Sequence, residues 1–173
     1  MTGGGMLAKP KYVLTLLALL LAGAITMPAL AADEDWQEAE APPPPSWRKE
    51  GLIVIDLPIR TGLVFGVDPS TLTIGPDWVV RYVMVAYNPT GSVNAMYEGL
   101  RCDTGEFKTY ARASEPGHWN KVANPVWREL DNTQSTSRHA LALARQGACE
   151  SHGVGGRTPA ELIRRLKNPR QDP

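Results

Sequence analysis

The sequence predicts an α+β domain, an antiparallel meander sheet with C-terminal helices packed on it. β-branched and aromatic segments recur between residues 51 and 113, and the links between the three strongest are too short to hold a crossover helix. Helical periodicity and a helix-capping pattern occur only after residue 134. Strands first and helices last is the order typical of α+β domains.

The N-terminus, residues 1–31, has the pattern of a secretory signal peptide. Lys9 and Lys11 precede the uncharged run YVLTLLALLLAGAI, and an Ala-x-Ala cleavage sequence ends at Ala31. The run is shorter than the ~20 residues that cross a bilayer, which disfavours the alternative of an uncleaved membrane anchor. The mature chain is therefore expected to begin at Ala32, to reside in the periplasm and to have no transmembrane anchor.

Residues 32–50 begin with acidic side chains and end in the proline run APPPP. Consecutive prolines favour an extended polyproline helix without internal hydrogen bonds, so we interpret this segment as an acidic, proline-rich linker. A docking ligand for a partner's aromatic groove is the alternative. A single α+β domain is then expected over residues 51–156, followed by a basic C-terminal helix and tail over residues 157–173.

Charge and motifs narrow the class of function. Without its leader the chain has sixteen basic and eighteen acidic residues, a formal charge of −2, which disfavours nucleic-acid binding. The sequence contains no phosphate-binding loop, Gly-x-Ser-x-Gly elbow or His-Glu-x-x-His motif, and its three histidines are scattered. We therefore predict no catalytic residue, metal site or cofactor.

Strands are predicted in order along the first part of the domain. LIVIDLP is a short strand, and two extended pieces flank the turn Asp68-Pro69-Ser70. The meander follows as WVVRYVMVAY, VNAMYEGLRC and FKTYARA, and the strands are expected to stop after residue 114. The side chains of Trp119 and Trp127 are expected to pack into the core.

Two helices are predicted near the C-terminus. The first lies within STSRHALALARQGAC and the second within RTPAELIRRLKN, where Thr158 is the expected N-cap. The side chains expected to be buried are Ala140, Leu141, Leu143 and Ala144 in the first helix, and Ala160, Ile163 and Leu166 in the second.

The turns predict which meander residues face each other. A three-residue loop in NPTGS sets Tyr82 opposite Glu98 and Arg81 opposite Gly99. The same loop type on DTG sets Tyr110 opposite Glu98 as well. Glu98 would then lie between two tyrosines on one face of the sheet.

The cluster of Tyr82, Glu98 and Tyr110 has two interpretations. A carboxylate between phenols is a candidate general base or part of a sugar-binding floor. The favoured interpretation is structural, because a buried carboxylate needs hydrogen-bond donors. On the opposite face, Arg81 and Arg101 form a candidate anion site. The favoured alternative is internal pairing with Asp56, Asp68 or Asp77 from neighbouring segments.

Cys102 and Cys149 are the two cysteines of the chain. In a chain that enters an oxidising compartment, an even count favours one disulfide bond over a reactive thiolate or a metal ligand.

Several segments resemble one family. FGVDPSTLTIGPDWVVRY, YEGLRC and TYA, together with Trp119, Trp127 and Cys149, are similar to the CNP-like family of proteobacterial, neisserial-type envelope proteins. The resemblance covers residues 45–150 and implies a periplasmic protein of an uncharacterised family, with no catalytic residue to transfer.

The expected function is a non-enzymatic binding or accessory module of the cell envelope. Its partner would be an envelope protein or a cell-wall component. The alternatives are a glycan-acting enzyme that uses Glu98 and a small-anion binder that uses Arg81 and Arg101.

The predicted signal peptide, residues 1–31, gives a prediction about processing. Expression with the intact leader should yield a mature N-terminus at Ala32 in the soluble periplasmic fraction, because the cleavage sequence ends at Ala31. N-terminal mass analysis and cell fractionation measure this. Recovery of residue 1, or membrane association that resists carbonate, would contradict it.

Overall fold

The computed structural model describes residues 1, 36–57, 62–88 and 90–169. The folded unit begins at Trp36. The predicted signal peptide, apart from Met1, lies outside the described residues. Within them, no helix is both long enough and apolar enough to cross a membrane.

Antiparallel strands make up most of the fold. In chain order they are β1 (Ile53–Ile55), β2 (Val64–Val67), β3 (Thr73–Ile74), β4 (Val80–Tyr87), β5 (Val93–Arg101), β6 (Glu106–Ala113), β7 (Asn120–Lys121), β8 (Arg128–Glu129), β9 (Cys149–Glu150) and β10 (Gly153–Val154). Within the described residues the first eight form one sheet, ordered β1-β2-β4-β5-β6-β7, with β3 beside β4 and β8 beside β6. β9 and β10 form a separate hairpin.

Two short α-helices follow the sheet, α1 (Arg138–Leu143) and α2 (Pro159–Lys167). A π-helical turn, Ala144–Ala148, extends α1 towards β9. Thr158 caps α2 as predicted, since its hydroxyl accepts a hydrogen bond from the Glu161 amide. The predicted α+β class is confirmed.

The buried helix faces differ in part from the prediction. In α1, Leu141 is only half-buried, whereas His139 and Ala142 are buried. In α2 the buried residues are Leu162 and Leu166, and the predicted Ala160 is exposed. The reason in α2 is that the apolar pair at i and i+4 points into the main apolar core, where α2 packs on the π-helical turn, and Ile163 lies at the edge of that core.

Each face of the sheet has its own apolar core. On one face, which we call the helix face, Tyr82, Met84 and Leu100 pack with Leu143 and Leu162 from the helical region. The residues between them in the strands point the other way. On that opposite face Val83, Val85, Ala95 and Tyr97 form a second cluster with Trp47 and Ala111.

Residues 36–49, which we call the N-terminal segment, cover the second face. Trp47 is 5% exposed within that core, and the Arg48 amide donates to Asp68 at 2.8 Å. The interpretation of this part of residues 32–50 as a linker before the fold is therefore wrong. The extended segment leaves its carbonyl groups free to accept, as Ala39 does from Arg81 and Pro45 from Trp119. Its non-proline amides donate, Ala39 to Asp77 and Arg48 to Asp68.

The first hairpin has the predicted register. Tyr82 pairs with Glu98 and Arg81 with Gly99. The second hairpin differs, because a four-residue turn sets Arg101 opposite Glu106 and Glu98 opposite Thr109. A β-bulge then follows, with Tyr97 opposite Ala111, so the extra residue is Tyr110. The prediction that Tyr110 faces Glu98 is wrong for this reason.

The strands also continue beyond residue 114, contrary to the prediction. β7 and β8 each pair with β6 through two residues, and β9 pairs with β10. Such two-residue strands lack the alternation that identifies longer strands in a sequence.

The predicted disulfide bond between Cys102 and Cys149 is confirmed, with Cα atoms 5.4 Å apart. It joins the end of β5 to the start of β9, and both residues contact the core on the helix face. The bond therefore ties the sheet to the segment that follows α1.

Loss of the disulfide bond should destabilise the domain. The bond closes a loop between residues separated by 47 positions. The double variant Cys102→Ala with Cys149→Ala should lose about 2–4 kcal/mol of unfolding free energy in a denaturant titration, because its unfolded chain gains entropy. The wild type under reducing conditions is the matched comparison. Two thiols that titrate in the denatured, non-reduced protein would show that the bond does not form.

Candidate functional site

Glu98 lies in the middle of β5 on the helix face, and its side chain is 0% exposed. Its Oε2 accepts a hydrogen bond from the Tyr82 hydroxyl at 3.2 Å, and its Oε1 accepts one from the Thr109 hydroxyl at 3.0 Å. His139 Nε2 lies 3.1 and 2.9 Å from the two oxygens. Two strands and α1 therefore supply the partners of one buried carboxylate.

His139 is the member of this cluster that sequence reasoning missed. Its ring stacks on Phe65 at 5.7 Å and meets Phe107 edge-on at 5.9 Å. A signal was present, because His139 falls on the apolar stripe of the predicted helix next to Ala140. A histidine on a buried face needs a polar partner, and the meander offers Glu98.

The protonation of Tyr82 follows from its surroundings. Burial, and then the neighbouring Glu98 carboxylate, raise the pKa of the Tyr82 phenol well above its ordinary value. The phenol therefore stays protonated and donates its hydrogen bond to Glu98. Tyr82 and Thr109 both donate to this one buried carboxyl group, which is the arrangement expected of structural polar groups rather than of a general base open to substrate.

Arg81 lies on the other face of the sheet and is 2% exposed. Its guanidinium forms a fork on Asp77, with Nη2–Oδ2 and Nη1–Oδ1 distances of 2.7 and 3.1 Å. Nη2 also donates to the carbonyl oxygen of Ala39 in the N-terminal segment at 2.9 Å. Asp77 is one of the aspartates that the sequence suggests as an internal partner, so this guanidinium is already used within the fold.

Two glycines leave space for these side chains. A Cβ atom at Gly75 would lie 2.2 Å from Asp77 Oδ1 and 2.5 Å from Arg81 Nη1. A Cβ atom at Gly99 would lie 2.5 Å from the Tyr110 hydroxyl. Tyr110 fills the space over Gly99. It does so because the β-bulge turns its side chain to the face of the sheet on which Arg81 lies.

Arg101 does not join Arg81 in an anion site. Its guanidinium stacks on the ring of Trp36, 3.6 Å from the ring centroid, and its Nη2 lies 2.9 Å from Asp103 Oδ2. Glu106 is a further partner at 3.5 Å. The two arginines therefore each have their own carboxylate partners, as the favoured interpretation of internal pairing expects, and the candidate anion site is not formed by free guanidinium groups.

Glu38 connects the N-terminal segment to β6. Its Oε1 accepts from the Tyr110 hydroxyl at 2.8 Å, and its Oε2 accepts from Trp127 Nε1 at 3.1 Å and from the Lys108 ammonium group. Burial opposes ionisation of Glu38, but these donors outweigh it and lower the pKa of the carboxyl. The pKa of Asp77 is lowered in the same way: burial opposes it, and hydrogen bonds from Arg81 and the Ala39 amide prevail.

The described residues contain no group of three histidine, cysteine or acidic side chains placed to hold a metal ion. The side chains of both predicted clusters instead form hydrogen bonds and ion pairs with other groups of the fold. The contacts of Glu98 join α1 to the sheet, and those of Arg81 and Arg101 join the N-terminal segment to the sheet.

The Glu98 cluster leads to a prediction about stability. Tyr82→Phe should cost about 1–3 kcal/mol of unfolding free energy, because it leaves a buried carboxylate short of one donor. The matched control is Tyr97→Phe, since Tyr97 is also buried but its hydroxyl has no hydrogen-bond partner in the part of the chain that the structure describes. The control should stay within about 0.5 kcal/mol of the wild type. Equal losses in the two variants would contradict the role given to Glu98.

The Glu38 network leads to a prediction about pH. A carboxyl whose pKa is lowered by folding adds stability that is fully present above its unfolded pKa, ordinarily 4.5 for Glu38, and that is lost as the pH falls through the folded value. The wild type should therefore lose stability on acidification below about pH 4.5. Glu38→Gln should be less stable at neutral pH and should approach the wild type in acid. Asp77, Asp103 and Asp131, whose carboxyls also have a lowered pKa, supply the pH dependence that remains.

Denaturant titrations at a series of pH values between neutral and strongly acidic would measure both proteins. Glu115→Gln is the control, because the Glu115 side chain is 75% exposed and its ion-pair partner, His118, is exposed as well. A constant difference between Glu38→Gln and the wild type at every pH would contradict the prediction.

Comparison with known proteins supports the sequence resemblance. The model of the CNP1-like family matches residues 31–167, which include the N-terminal segment, the whole sheet and both helices. No curated protein and no solved structure matches the chain. The family match spans most of the chain, and on this ground the protein belongs to the CNP1-like family.

Proposed function

We propose that this protein is exported through a cleaved leader and acts in the periplasm as a non-enzymatic binding or accessory module of the cell envelope. The observation that carries the proposal is that the polar side chains best suited to catalysis or anion binding are buried and paired within the fold. Glu98 is 0% exposed with three side-chain partners, and Arg81 is 2% exposed with its fork on Asp77.

The alternatives derived from the sequence have less support. A glycan-acting enzyme needs a carboxyl group that the substrate can reach, and usually a second carboxyl group nearby. Glu98 has no contact with solvent, and its neighbours are a phenol, a hydroxyl and an imidazole. An anion binder at Arg81 and Arg101 needs free guanidinium groups, and both are paired with carboxylates.

One surface residue suits contact with a partner. Trp78 is 64% exposed and has a φ of 59°, a left-handed conformation that bulky residues rarely adopt. The neighbouring Asp77 is held by the Trp36 indole and by Arg81, so the backbone that presents Trp78 is fixed. Exposed tryptophan is a side chain that contributes strongly to protein–protein contacts.

The proposal is tested by photo-crosslinking in intact cells that express the full chain. A photoreactive phenylalanine analogue at position 78 should capture an envelope protein or a cell-wall fragment. The same analogue at the exposed position 167 is the matched control and should capture less. Capture of a cytoplasmic protein, or an unprocessed chain retained in the cytoplasm, would overturn the proposal.

A further inference from the structure

Two neighbouring cavities on the helix face have walls without any acidic residue. Cavity A, about 490 Å³, lies between the far end of the sheet and the start of α1, with Phe65 and Met96 among its lining residues. Cavity B, about 240 Å³, lies between β6 and the segment that leads to β8, with Val122 and Arg128 in its wall. The volume of cavity A lies within the ~300–1,000 Å³ typical of small-molecule sites.

The two cavities share Arg112 and Thr136, so these side chains form the partition between them. Arg112 points to the helix face because it lies opposite Met96 in the sheet. Within the described residues, neither Arg112 nor Arg128 has a hydrogen bond or an ion pair with a carboxylate. This differs from Arg81 and Arg101, which are both paired.

The lining of cavity B suits an anionic group. Two arginines line its wall together with Thr136, and Thr109 also lines it but already donates its hydroxyl to Glu98. Guanidinium binds carboxylate and phosphate oxygens in a planar fork, and hydroxyls add further donors. No acidic residue lines the wall of cavity B.

The lining of cavity A suits an apolar group with polar edges. Phe65, Ala86 and Met96 provide apolar surface, and Asn94 and Asn120 lie at the rim. The ring of His139, whose Nε2 is occupied by Glu98, is also part of the wall. An apolar body next to convergent polar groups is the usual composition of a ligand site.

From this arrangement we infer that cavities A and B form one binding site for a small anionic amphiphile. Its carboxylate or phosphate head binds Arg112 and Arg128 in cavity B, and its apolar body lies in cavity A against Phe65 and Met96. The inference names a ligand class for the binding module proposed above and so rests on that proposal.

The experiment titrates the mature protein with octanoate and octyl phosphate by calorimetry. Octyl glucoside, which has the same apolar chain without charge, and inorganic phosphate, which has the charge without the chain, are the ligand controls. Both charged octyl compounds should bind saturably and more tightly than either control. The stronger of the two identifies a carboxylate or a phosphate as the preferred head.

Variants test the assignment of the arginines. Arg112→Gln should weaken binding of the charged octyl compounds about tenfold or more, and Arg128→Gln should also weaken it, because each removes a charge-assisted hydrogen bond. Arg145→Gln is the matched control, since Arg145 is exposed and lines neither cavity. All three side chains are exposed, and thermal melts check that the variants fold.

Equal affinity for octyl glucoside, unchanged affinity in Arg112→Gln, or no saturable binding would overturn the inference. The ligand inference and the proposed function can fail independently of each other. An envelope partner captured at position 78 without any binding of the charged octyl compounds would leave the binding module in place and remove only its ligand.

Discussion

The Glu98 carboxylate has no contact with solvent, and a charge in that position has to be met by donors from the protein itself. The donors come from β4, β6 and α1, so this one group can be satisfied only when the central strands are in register and the helix is docked on them. Apolar packing on the helix face tolerates small shifts of a helix, whereas hydrogen bonds of about 3 Å do not. The carboxylate therefore fixes the position of α1 on the sheet.

On the opposite face of the sheet, charged side chains make contacts between the sheet and the N-terminal segment. Glu38 and the Arg81–Asp77 pair join the N-terminal segment to the meander, and the Trp36 ring lies against Arg101. Glu38 and Trp36 belong to the N-terminal segment, whose composition is that of an acidic, proline-rich linker. The apolar anchor Trp47 and the polar contacts together convert that stretch into a third layer.

Much of this architecture could be predicted from local sequence patterns. The meander strands, the register of the first hairpin, the cap at Thr158 and the disulfide bond each depend on residues close in sequence or on composition. The remainder depends on features without a local signal. The β-bulge moves Tyr110 from the Glu98 face to the Arg81 face, and no turn residue marks it. His139 reaches Glu98 across 41 positions, and Glu38 reaches Trp127 across 89, so only the folded chain shows these contacts.

The position of the N-terminal segment has a consequence for the order in which the fold is completed. A ribosome releases residue 38 long before residue 127, and the two meet only in the finished domain. Contacts between residues so far apart require the closure of a long loop, which is entropically costly and slow. We therefore expect the part of the folded domain that is synthesised first to be the last to dock. Until then the apolar face around Val83 and Tyr97 stays uncovered, and a newly made chain exposes it to any other chain nearby.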